Sequence, residues 1–213
     1  MYGGMRETLA ELAGAPVLVV PASLADWVAA TSKRGWERIL LTLDGTVDEA
    51  LALGGGSRVT LVGHSSGGVM GRLYLSPEPF RGHAFRGREK VAHLITLGSP
   101  HLTVRGASVR RWVDRTYPGA FFAPDVCYTA VGGRVIKGNA AGSAKERAAR
   151  LLYRQLCGDG EQWGDGLVPL LSARLEGARN LVLEGAAHAP VGGRQWYGTP
   201  DLVRVWWEGA FGT

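Results

Sequence analysis

The chain has 213 residues, 46% of them apolar and 20% charged, with a net charge of +5. That balance excludes wholesale disorder and supplies one core, so a single domain spanning 1–213 is expected. No tract interleaves the cations with regularly spaced aromatics, which argues against a nucleic-acid partner, and two cysteines, Cys127 and Cys157, are too few for a disulfide framework.

In chain order, a helical pattern over 5–12 is followed by the apolar run PVLVVP at 16–21. Glu7 and Glu11 precede that run where a signal peptide would carry basic residues, and no uncharged run reaches membrane-spanning length. These features point to a soluble protein of the cytoplasm or an organelle stroma. A helix is expected at 46–53, the strand RVTLVG at 58–63, a helix at 68–75, and the strands VAHLITLG at 91–98 and VCYTAVG at 126–132. Residues 133–142 have weak periodicity and suit a surface excursion. A helix over 143–157 opens with Ser143 and Glu146 at capping-box spacing and carries Leu151, Leu152 and Leu156 on one side. The strand NLVLEG at 180–185 comes next, and a last helix starts at Thr199-Pro200 and runs to about Trp207.

The apolar runs end at Gly or Pro and are apolar almost throughout, as strands buried on both faces must be. Their alternation with helices predicts an α/β fold: a mostly parallel sheet of about five strands, helices on both faces, and a small cap within about 102–160. Between Arg72 and Arg115 nine Lys/Arg face three acids, Glu78, Glu89 and Asp114. Peripheral contact with an anionic membrane is one reading of that excess, and a solvated arginine-rich face is the other.

Gly63-His64-Ser65-Ser66-Gly67 follows a predicted strand and precedes a predicted helix. In that setting G-x-S-x-G is a nucleophile elbow: Gly63 and Gly67 leave room for a sharp turn that raises Ser65, and the following N–H, of Ser66, faces the developing oxyanion. Such a serine needs a base, and the base an orienting acid. His188, just past the last strand in Gly-Ala-Ala-His, and Asp165, in Gly-Asp-Gly-Leu-Val-Pro, fit the order Ser, Asp, His. His101, at a strand end after Ser99-Pro100, is positioned to line the site. His64 belongs to the elbow but points away from the serine oxygen, His93 lies inside a strand and His83 in an Arg/Gly loop. Asp159 and Glu184 are the rival acids.

The segments LVGHSSGG (61–68), LITLGSPH (94–101) and GDGLVPLLSARLEGA (164–178), with the terminal histidine segment, resemble the lipase-type α/β hydrolases. The resemblance is nearest to lipase-like serine hydrolases of photosynthetic organisms, with a distant likeness to GPI-inositol-deacylase-type enzymes. It implies hydrolysis of carboxylic, lipid-like acyl esters through Ser65, Asp165 and His188, without metal or other cofactor. A thioesterase or acyltransferase would use the same triad, and a catalytically weak binding protein would keep it silent. Members of this family usually begin with an apolar strand ending in a loop that gives a second oxyanion N–H. Here Met1-Tyr2-Gly3-Gly4 resembles the remnant of that loop, with Gly3 or Gly4 as donor, and the strand before it is absent. A sheet edge left open there would offer a surface for pairing with another copy of the chain.

Overall fold

The computed structural model describes residues 1–105 and 108–212, and of Leu24 the backbone alone. Four of the predicted strands form, namely β1 (Val59–His64), β2 (Val91–Leu97), β3 (Cys127–Arg134) and the strand at Arg179–Glu184. Two short strands intervene, β4 (Ile136–Lys137) and β5 (Trp163–Gly164), so the Arg179–Glu184 strand is β6. The main sheet has the order β1-β2-β3-β6 and is parallel at every pairing. β4 and β5 form a separate antiparallel ribbon.

Side chains alternate across this sheet as a two-residue period requires. Leu94, Tyr128 and Ala130 enter a core on one face, and Ile95, Leu97 and Val131 enter a second core on the other. The first core is closed by three helices: α3 (Lys33–Gly54), α4 (Ser66–Tyr74) and α6 (Ser108–Thr116). The second is closed by α1 (Gly3–Ala13) and α9 (Pro200–Phe211). The shorter helices are α2 (Leu24–Ala29), α5 (Gly87–Lys90) and α8 (Leu170–Ala173), and α7 spans Ala144–Cys157.

Helix α3 begins well before residue 46. Ser32 caps it, accepting from the Gly35 N–H at 3.1 Å, and Trp36, Ile39, Leu40, Leu43 and Val47 form one buried stripe. Asp44-Gly45 reads locally as a turn, but burying that stripe outweighs the roughly 1 kcal/mol a mid-helix glycine costs. The capping box at Ser143 and Glu146 forms as expected. On α7, however, the buried residues are Ala149 and Tyr153, while Leu151 is 66% exposed. Thr199 lies at the N-cap of α9, yet its Oγ1 accepts the Trp196 N–H instead of capping the helix.

The run at 16–21 is not a strand, so the main sheet has four strands instead of about five. Its residues have no regular secondary structure and join no ladder; prolines bracket the run, and Pro16 and Pro21 lack the N–H a ladder needs. Among the described residues, no backbone hydrogen bond joins 15–22 to β1. Between them runs a groove of about 850 Å3, lined by β1, by 15–22, by Met5 and Leu9 of α1, and by Ile39, Leu43 and Val47 of α3. The sheet therefore ends at β1, the strand that carries the elbow, with one edge unpaired.

The segment expected as a cap contains β3 itself. What leaves the sheet there is α6 before β3, and β4 with α7 after it. The cation-rich stretch is partly neutralised from elsewhere in the chain: Arg81 meets Glu37, and Lys90 meets Asp44 and Asp48. Arg72 is buried and reaches Asp114 at 3.4 Å. Among the described residues no helix is long and apolar enough to cross a membrane.

Candidate active site

β1 ends at His64 and α4 begins at Ser66, leaving one residue to make the turn. Ser65 takes φ 55° and ψ −129°, a backbone conformation that costs a non-glycine residue about 1–3 kcal/mol. The turn is held by the Ser65 N–H donating to the Leu97 carbonyl at the end of β2, 2.9 Å away. It also depends on close approach of β1 to α4. A Cβ on Gly63 would lie 2.6 Å from the Gly68 backbone, and one on Gly68 would lie 2.1 Å from Ser99 Oγ. A Cβ on Gly67 would meet nothing within 4 Å. The residue that must be small on the helix side is thus Gly68, and Gly67, which the motif pointed to, is sterically free.

Ser65 Oγ lies 3.1 Å from His188 Nε2, and His188 Nδ1 lies 2.8 Å from Asp165 Oδ2. The three residues predicted from the sequence are brought together from the end of β1, the loop after β5 and the loop after β6. Asp165 is 2% exposed, and every partner of its carboxylate donates. The Leu167 and Val168 N–H groups reach Oδ1 at 2.9 and 2.7 Å, while the Tyr197 hydroxyl and His188 reach Oδ2, each at 2.8 Å. With Nδ1–H committed to the carboxylate, the lone pair of Nε2 faces the serine hydroxyl and can take its proton.

Four further residues hold this arrangement. Tyr197, fully buried, accepts from the Gly133 N–H at 2.7 Å while donating to Asp165; burial and the adjacent carboxylate push its hydroxyl pKa well up. Gly98 admits the pair, since a Cβ there would lie 2.7 Å from both Asp165 Oδ2 and the Tyr197 ring. Tyr153 of α7 accepts the Gly166 N–H at 2.9 Å and so steadies the aspartate loop. Tyr2 meets His64 Nδ1 at 3.0 Å. Tyr197 lies in no segment the sequence singled out, and Tyr2, Gly98 and Tyr153 lie in segments noted for other reasons. Each becomes visible only when distant segments are folded together.

Ser66 is the first residue of α4, where an N–H has no acceptor within the helix. Gly3 and Gly4 form the first turn of α1 instead of a loop, because Met5 and Leu9 bury against α9 and draw the helix back to Gly3. No hydrogen bond joins either glycine to the elbow. Among the described residues no other histidine is hydrogen-bonded to Ser65 Oγ. His101 is fully buried and donates from Nε2 to Thr96 Oγ1 at 3.0 Å, with Arg72 against Nδ1 at 3.3 Å; burial, then the Arg72 charge, lowers its pKa well below the usual value. His93 meets Thr129 inside the sheet, and His83 faces Glu37 at the surface. Asp159 closes a turn with Glu161 and Gln162, and Glu184 pairs with Arg134, so neither rival acid meets His188. Among the described residues no cluster of His, Cys, Asp or Glu could hold a metal. Cys127 and Cys157 are both free.

No protein-family model matches this chain, and no curated protein matches it. Among solved structures it is similar to the mature form of Bacillus licheniformis lipase BlEst2, with a TM-score of 0.50 and 19% identity over 75% of this chain and 67% of that one. It is also similar to the propeptide form of the same lipase, with a TM-score of 0.49 and 22% identity over 69% of this chain. The chain spans only 35% of that propeptide form. At such identities the likeness concerns the fold. The parallel sheet with helices on both faces is an α/β-hydrolase fold.

Proposed function

We propose that this chain hydrolyses carboxylic esters by acyl transfer through Ser65, with His188 as general base and Asp165 as the group that orients it. One observation carries the reading: an unbroken hydrogen-bond chain from Ser65 Oγ through His188 to Asp165, set on a strained strand-to-helix turn. Ser65 Oγ attacks the ester carbonyl as its proton passes to His188 Nε2. The tetrahedral oxyanion is met by the Ser66 N–H and the N-terminal end of α4. Collapse expels the alcohol, which takes the proton from Nε2 and leaves an acyl-serine. Water, deprotonated by the same nitrogen, then releases the acid and restores Ser65.

The acyl group is lipid-like in this reading. The segments carrying Asp165 and His188 present Leu167, Leu171 and Val191 to solvent at 42%, 46% and 73% exposure, apolar side chains on the same loops as the acid and the base.

The test is labelling by a fluorophosphonate, followed by hydrolysis of p-nitrophenyl esters of increasing chain length. Labelling is expected in the native chain and its loss in Ser65→Ala, with the melting temperature preserved. A native chain that fails to label, or a Ser65→Ala variant that keeps more than trace turnover, overturns the proposal. Turnover that rises only with thioesters or with alcohol acceptors would move the reaction to a thioesterase or an acyltransferase.

A further inference from the structure

We propose that His64 is a positioning residue for the reaction, a neutral imidazole that holds the backbone of His188 in place from the elbow itself. The inference rests on the assignment of His188 as the base. His64 Nε2 lies 3.0 Å from the His188 carbonyl oxygen, and its Nδ1 lies 3.0 Å from the Tyr2 hydroxyl. A carbonyl only accepts, so Nε2 carries the proton. In a neutral ring Nδ1 is then a bare lone pair, and the Tyr2 hydroxyl donates to it. Burial, then the neighbouring His188, lowers the His64 pKa to about 4, which keeps the ring neutral and both bonds intact near neutral pH.

The effect is to grip the His188 peptide from two sides. Its N–H donates to the Asp165 carbonyl at 2.9 Å and its C=O is held by His64, so the backbone of the base is tied to the acid on one side and to the residue before Ser65 on the other. The residue before it, Ala187, is bonded to Gln195 at 2.9 Å, but beyond it the chain passes into the glycine-rich turn at Val191–Gly193. His64 thus holds the last fixed point before a loosely tied loop. Its ring stands 4.8 Å from that of His188, tilted by 40°. An imidazolium formed at His188 therefore faces an uncharged neighbour, and a cationic residue at position 64 would oppose it. The bond to Tyr2 extends the hold to α1, which packs on α9.

The experiment compares fluorophosphonate labelling rates and ester kinetics of the native chain, His64→Phe, His64→Gln and Tyr2→Phe, with melting temperatures beside them. His64→Phe keeps a planar ring but loses both bonds. It is expected to slow labelling and lower kcat by about 10- to 100-fold with KM little changed, since small displacements of a base cost that much. His64→Gln keeps a donor at the reach of Nε2 and is expected to recover most of the rate, while Tyr2→Phe loses one end and falls between. Labelling of His64→Phe at the native rate overturns the proposal. So does a His64→Gln variant as slow as His64→Phe with an unchanged melting temperature. A native chain that does not label defeats the hydrolase reading separately. In that event long-range proton–nitrogen NMR still decides the role of His64: the Nε2–H tautomer is expected, with a His188–Asp165 proton signal that shifts or broadens in His64→Phe. An Nδ1–H tautomer, or an unmoved signal, overturns it.

Discussion

At the residue scale, the proposed hydrolysis has Asp165 and His188 work as one unit with Ser65, so their losses are not expected to add. Asp165→Asn and His188→Ala should each lower kcat by about 10³-fold or more, and the double variant by little beyond the larger single loss. Steady-state kinetics on one soluble ester reads this, and additive losses would separate the two roles. A second expectation concerns acid. The His64 ring has a pKa of about 4 in the fold against 6.5 when solvated, chiefly through burial, so the fold favours its neutral form. That contribution is complete above about pH 6.5 and is lost as the pH falls through 4, because the unfolded chain takes up the proton first. About 3 kcal/mol of stability is at stake. His101 shifts in the same direction, so His64→Gln should flatten the fall in melting temperature between pH 6.5 and 4 without abolishing it. An unchanged slope in His64→Gln would place the acid sensitivity elsewhere. The grouping of Ser65, His188 and Asp165 was legible in the sequence because each lies at a strand end within three residues of a glycine. Tyr2, Tyr153 and Tyr197 were not, since a hydroxyl that bonds a group 13 or more positions away leaves no local pattern.

At the element scale, the elbow shows how far a motif carries. The pattern singles out Gly63 and Gly67, whereas the close packing of β1 on α4 constrains Gly63 and Gly68. Gly67→Ala, on an unobstructed helical position, should leave stability within about 0.5–1 kcal/mol of native, in the stabilising direction. Gly68→Ala must displace Ser99 and the elbow with it, at a cost of about 1–3 kcal/mol and a marked loss of labelling. Denaturant unfolding of the two variants is the check, and equal effects would mean that the helix relaxes around the added methyl. The strands were readable wherever an apolar run met a partner on both sides or at one edge. The run at 16–21 has the same composition and joins no ladder, so composition alone could not decide it. The full length of α3 was hidden by Asp44-Gly45, a local turn signal overridden by the buried stripe from Trp36 to Val47.

At the scale of the whole molecule, the outstanding feature is the open edge of β1. A parallel strand is ordinarily covered on both sides, because every unpaired backbone N–H and C=O near a core carries a desolvation cost. Here the groove beside β1 is lined by α1, by α3 and by residues 15–22, and among the described residues no backbone bond crosses it. Its dimensions suit one more strand: six residues at about 3.3 Å each would run the length of β1. Direction is also set. Tyr2 lies at the His64 end of β1, so a segment entering Tyr2 from the amino-terminal side and lying in the groove would run parallel to β1, as the rest of the sheet does. Grafting an apolar strand of six to eight residues ending in Pro-Gly before Tyr2 should therefore stabilise the molecule. A gain of about 2 kcal/mol would raise the melting temperature by roughly 4–8 °C in a chain of this size. The end of such a strand would also bring backbone N–H groups to the side of the elbow where Ser66 offers its own. Since one oxyanion donor is worth about 10²–10³ in rate, kcat should rise together with stability. The control is the same graft with two internal prolines, which keeps the apolar mass but cannot pair. Equal melting temperatures for the two grafts, or a stabilised graft with no change in kcat, would mean that the groove is filled by something other than a strand and that the edge of β1 is not what limits the site.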